Sequence, residues 1–222
     1  MKLIDRIQVF KNQKNISSLI KEFQQSFFDE EFDTVDDEMF DAISLKNEKL
    51  NYSGFSIMLN HSEINSYPKV LSEKITEVLK FLKTEKLILI SHLKLDFFGN
   101  LKHDYLKVIN AYSELSKITN SKTYKEAIES EISEIESLFE IFFWLERCDS
   151  SIPEYVFWTD SKERFCFYFC KYGNIHFVDF TNGNLINEKE LEKLNFIVNE
   201  DYDQFSEDGI IENRQVNTKD FK

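Results

Sequence analysis

Three cysteines and four histidines are the side chains of this chain best suited to metal, redox or nucleophilic chemistry. Two of the cysteines and one histidine fall in a single aromatic stretch, RFCFYFCKYGNIHFVDF, from Arg164 to Phe180. Read as two strands, its side chains alternate, placing Phe165, Phe167 and Phe169 on one face and Cys166, Tyr168 and Cys170 on the other. At about 3.4 Å per residue the two thiols stand about 13 Å apart, too far for a disulfide, which needs Cα atoms within roughly 7 Å, or for one shared metal ion. A turn at Gly173-Asn174 pairs Cys170 with Phe177 and Lys171 with His176, which keeps thiol and imidazole apart. On this reading both cysteines are small buried hydrophobes, reduced and slow to react.

His61, His92 and His103 are scattered, and the chain contains no H-x-H, H-E-x-x-H or C-x-x-C spacing. The acidic run from Asp29 differs from a calcium loop, because Thr34 stands where glycine is needed and Phe40 where the closing glutamate belongs. No glycine-rich phosphate loop or G-x-S-x-G elbow is present. The expectation is a protein that is not an enzyme and has no metal or cofactor. Carboxylates are so numerous that a carboxylate-dependent hydrolase remains an alternative.

The elements that would position these residues follow from hydrophobic period. From Asn15, a residue able to cap, Ile16, Leu19, Ile20, Phe23 and Phe27 recur at helical spacing. DEEFDTVDDEMFDAI then reads as a loop and a short acidic helix, LNYSGFSIMLN as a strand, and YPKVLSEKITEVLKFLKTEK as a helix begun near Pro68. Leu87 to Phe98 fits both periods, with strand preferred. Two helices are expected at about His103 to Ile118 and Lys122 to Glu146, the second turning Ile128, Ile132, Ile135, Phe139, Phe142 and Phe143 inward. After CDSSIPE come three strands, YVFWTD, RFCFYFCKY and NIHFVDF, and then a short helix, NEKELEKL. The fold class is α+β: a mostly helical part, about 1–149, packed on a C-terminal antiparallel β-meander with an acidic tail, about 150–222. With 22 Phe against 5 Gly and 2 Pro, and no linker-like stretch, the whole of 1–222 is expected as one compact domain. Trp144 and Trp158 are expected in its core or an interface.

Forty acidic and 27 basic residues give a formal charge of −13, which repels nucleic acid and anionic membranes and is compatible both with plain solubility and with attraction to a basic protein partner; charge alone does not choose between the two. The N-terminus shows no export signal, no stretch reaches the roughly 18 apolar residues of a membrane helix, and the odd cysteine count argues against a disulfide framework; a cytoplasmic setting follows. The sequence sets no oligomeric state. Eight carboxylates lie between Asp29 and Asp41 with no base among them, and a second acidic segment, NEDYDQFSEDGIIE, includes Glu200, Asp201, Asp203, Glu207, Asp208 and Glu212. Both carry aromatics. The candidate partner-binding residues are therefore Asp33, Asp36, Asp37, Glu38, Asp41, Asp201, Tyr202, Asp203 and Phe205, with Phe32 a further candidate anchor.

WLERCDSSIPEYVFW, Trp144 to Trp158, and CKYGNIHF, Cys170 to Phe177, resemble segments of bacterial polymorphic-toxin immunity proteins. The resemblance implies a small cytoplasmic protein that binds and occludes a cognate toxin domain, and it carries no catalytic residues. If that toxin is a nuclease, its phosphate-binding cleft is basic and suits acidic side chains. A non-enzymatic interaction module of another role is the alternative.

Overall fold

A computed structural model describes residues 1–35, 37–183 and 185–205. In chain order its elements are β1 (Lys2–Ile4), α1 (Arg6–Asn12), α2 (Lys14–Phe27), β2 (Ser53–Leu59), α3 (Tyr67–Phe81), β3 (Lys86–Ser91), α4 (Leu106–Thr119), β4 (Ala127–Glu131), α5 (Ile135–Cys148), β5 (Val156–Asp160), β6 (Phe165–Phe169), β7 (Ile175–Asp179), α6 (Glu188–Lys193) and β8 (Phe196–Val198). The eight strands form one antiparallel sheet in the order β1-β4-β3-β5-β6-β7-β2-β8. The fold is mixed α+β.

Both faces of the sheet are covered. Leu87, Leu89, Trp158, Phe165, Phe167 and Phe169 point toward α3, α4 and α5, whereas Ile88, Ile90, Phe157 and Cys166 point toward α1 and α2. That division is the strand period acting on strands that are apolar on both sides. On the first face, Phe139 of α5 meets Trp158 edge-on at 4.9 Å, and Trp158 stacks on Phe167 at 5.7 Å. Helix α5 lies between α3 and α4, and its residues from Ile141 to Cys148 are all buried, as a helix covered on every side must be. Both tryptophans are therefore core residues.

The meander β5-β6-β7 forms as read from sequence, but inside a larger sheet: β1 to β4 come from the part expected to be mostly helical. The expected helix over Lys122–Glu146 is divided. Its first part is strand β4, joined by a 3-10 turn at Ile132–Glu134 to α5. The reason lies on the neighbouring strand: β4 aligns Ile128 with Leu89, and Lys86 binds both Glu129 and Glu131, at 3.1 and 3.2 Å. Acids without a base in their own segment gain one across the sheet, and the pairing overrides local helix preference. Leu87 to Phe98 is strand only to Ser91. At the start of α2 the capping position is Gln13; Asn15 lies inside the helix and donates to the Glu163 carbonyl at 2.9 Å.

Candidate functional site

The acidic run after α2 is a loop built by its own carboxylates. Asp33 accepts from the Asp29 amide at 2.8 Å, Asp29 from the Glu31 amide at 2.9 Å, and Asp37 from the Thr34 amide at 2.9 Å. These side chains replace missing backbone partners and hold the turns. Asp29, Glu30, Glu31 and Asp37 are exposed, and none of them pairs with a base among the described residues. Phe32 stands between them with 81% of its surface exposed, and Val35 with 64%.

The run then ends differently. A 3-10 turn, Glu38–Phe40, buries Phe40 against Phe28. Glu38 binds Lys125 at 2.6 Å and Lys94 at 3.1 Å, and these two ammonium groups hold its carboxyl below the ordinary glutamate value. Asp41 grips the fully buried Arg6 in a two-point contact, 2.9 and 3.1 Å, and also accepts from Gln24; Arg6 continues to the Ser91 carbonyl on the sheet. Asp41 is thus an anchor of the fold; of the other expected contact residues in this run Asp37 and Glu38 are exposed and Asp33 is half-buried, and Asp36 lies outside the described residues.

The second acidic segment is also divided. Asp203 is buried and paired with Arg147 of α5 at 3.0 Å, its side chain wholly inaccessible. Phe205 is buried too, edge-on to Tyr67 at 4.9 Å and beneath the Arg147 guanidinium. Neither can meet a partner without the segment detaching. Asp201 and Tyr202 remain at the surface. Glu207, Asp208 and Glu212 lie outside the described residues.

The hairpin of the aromatic stretch corrects the sequence reading most sharply. The observed register pairs Phe167 with Phe177, Tyr168 with His176 and Phe169 with Ile175, and the Cys170 amide donates to the Asn174 carbonyl at 2.9 Å. The connection is therefore Lys171–Gly173, a three-residue loop with Gly173 at φ +83°. The Gly173 amide also donates back to the Cys170 carbonyl at 2.8 Å, closing the loop on Cys170 and Asn174 where a two-residue turn at Gly173-Asn174 would have set Cys170 opposite Phe177. Gly173 also lies against α5: a Cβ there would fall 2.4 Å from the Phe143 ring.

This register puts Cys170 and His176 on one face, and Asp201, from beyond β8, closes over both. The Cys170 thiol donates to Asp201 Oδ1 at 3.3 Å, and His176 Nε2 lies 3.2 Å from Oδ2. All three ligand-type atoms fall within 4.8 Å of one another. Tyr168 stacks flat on the His176 ring at 5.0 Å, and the fully buried Asn174 donates to Asp201 Oδ1 at 3.1 Å and to the Tyr202 carbonyl at 3.0 Å. Burial, then the adjacent carboxylate, pushes the Cys170 thiol up to about 12. A thiol so raised, with a carboxylate set against both it and the imidazole, lacks the activation a cysteine nucleophile needs. What the three groups can do is ligate. No local spacing announces this cluster, because Asp201 arrives from a distant segment; the one available signal was Gly173 as the left-handed residue of a three-residue hairpin.

A cavity of about 830 Å³ lies along α4 and α5 over Ala111, Ile141 and Trp144. Its Glu140 accepts from the Trp144 indole at 2.9 Å and lies 3.6 Å from Lys107, so this carboxylate is already engaged. Among the described residues no helix is long and apolar enough to cross a membrane. No protein-family model, curated protein or solved structure matches the chain.

Proposed function

We propose that this protein is an immunity-type inhibitor that binds a cognate toxin domain with a basic surface and acts by occluding it in the cytoplasm, using the loop 29–38 as a principal contact. The observation that carries the reading is Phe32, 81% exposed on a loop whose turns are already hydrogen-bonded. Burying a phenylalanine contributes about 1.5–3 kcal/mol. A loop ordered in advance loses little entropy on binding. The surrounding carboxylates would speed encounter with a basic partner and exclude an acidic one, in keeping with the net charge of −13.

The immunity class enters through the resemblance at Trp144 to Trp158 and Cys170 to Phe177. Those residues fall in α5, β5 and the β6-β7 hairpin, the scaffold of the sheet, while the loop 29–38 lies outside them. A shared scaffold with a separate partner-specific loop is the arrangement expected of inhibitors that differ in target.

The test is to purify the product of the adjacent reading frame, or its C-terminal domain, and measure binding and inhibition with the full chain. A one-to-one complex that silences a toxic activity supports the reading. A neighbour that is not a toxin, or one that stays active with saturating protein, overturns it in favour of an interaction module of another role.

A further inference from the structure

We propose that Cys170, His176 and Asp201 form a binding site for a single zinc ion. The ligand set is one thiolate, one imidazole and one carboxylate, a combination suited to zinc and foreign to calcium or magnesium, which take oxygen. The spacing fits. Tetrahedral bonds of about 2.0–2.3 Å put neighbouring ligand atoms about 3.3–3.5 Å apart; here the sulfur lies 3.3 Å from Asp201 Oδ1 and the imidazole Nε2 3.2 Å from Oδ2, and with one ligand atom from each residue all three lie within 4.8 Å of one another, a short adjustment from tetrahedral spacing.

The supports are those that metal ligands require, with second partners fixing their orientation. Asn174 holds Asp201 Oδ1, leaving Oδ2 toward the histidine, and Tyr168 fixes the imidazole plane. Binding releases the Cys170 proton to solvent, and the resulting thiolate together with the Asp201 carboxylate balances the two positive charges. His176 and Asp201 keep 28% and 36% of their side-chain surface, so solvent can supply the fourth ligand. The ion would join the end of β6, strand β7 and the segment after β8, fastening the stretch that continues into Asp203 and Phe205.

The experiment uses the full chain, stripped with chelator and titrated with Co²⁺ and then Zn²⁺. One Co²⁺ per chain is expected, with thiolate-to-cobalt charge transfer and tetrahedral visible absorption, both lost on adding Zn²⁺. Cys170→Ser should abolish the charge-transfer band, whereas Cys148→Ala should keep it. His176→Gln and Asp201→Asn should each weaken binding about 10-fold or more, and Zn²⁺ should raise the melting temperature of the wild type but not of Cys170→Ser. If Cys170→Ser fails to fold, as judged by circular dichroism, His176→Gln supplies the decisive arm. Absence of stoichiometric uptake, a cobalt spectrum without the thiolate band, or wild-type affinity in His176→Gln overturns the site.

Discussion

Two stretches of this chain, 29–41 and 200–205, have nearly the same composition, acids with interspersed aromatics, and the fold uses them in opposite ways. In the first, Phe32 projects into solvent and the carboxylates of Asp29, Asp33 and Asp37 are spent on local turns. In the second, Asp203 is sealed against Arg147 and Phe205 is packed on Tyr67. The difference comes from what stands opposite. Helix α5 presents a buried guanidinium to the second segment, whereas among the described residues the exposed carboxylates of the first meet no base until Glu38 and Asp41, where Lys94, Lys125 and Arg6 take part. An acidic cluster becomes structure where a distant cation meets it and surface where none does.

The largest effect should come from Asp203→Ala, which leaves Arg147 charged, buried and unpaired; urea denaturation should show a loss of about 3–5 kcal/mol. A change under about 0.5 kcal/mol, the size normal for a surface site, would mean that the two stretches do not differ as described. Asp41→Ala sharpens the comparison from inside the first stretch, since it strands Arg6 in the same way. We expect a loss of about 3 kcal/mol, and an unchanged denaturation midpoint would argue against an anchoring role.

Phe32→Ala should leave stability within about 0.5 kcal/mol yet, on the proposed function, weaken binding of the basic partner by about 2 kcal/mol, roughly 30-fold, as expected for an interface anchor. Full affinity in titration calorimetry would remove Phe32 from the interface. The smallest effect belongs to Glu30→Gln combined with Glu31→Gln and Asp37→Asn. Association should slow at low salt and its salt dependence flatten, while dissociation and melting temperature change little. Stopped-flow rates identical to wild type at low ionic strength would rule out steering by this loop.

Much of the architecture was legible because side-chain period is a local property. Helices α2 and α3, strand β2 and the meander β5-β6-β7 each announce themselves by apolar spacing within their own residues. So does the burial of Phe165, Phe167 and Phe169 on one face and Cys166 on the other. The candidate loop was legible as an acidic run, though not that Asp41 would turn inward. Strand β4 was not legible, because AIESE becomes a strand through Leu89 and Lys86, which lie about 40 residues away along the chain and opposite it in the sheet.

By itself, then, the sequence determined the mixed α+β class, the two-sided apolar strands, the acidic charge and the aromatic core. Tertiary structure alone decided the hairpin register, the meeting of Cys170, His176 and Asp201, and which acids face solvent. Register there depended on Gly173 fitting beneath Phe143 of α5, and each ion pair on a base from another element. These are contacts between residues distant in the chain, and no periodicity within a segment encodes its partner across the fold.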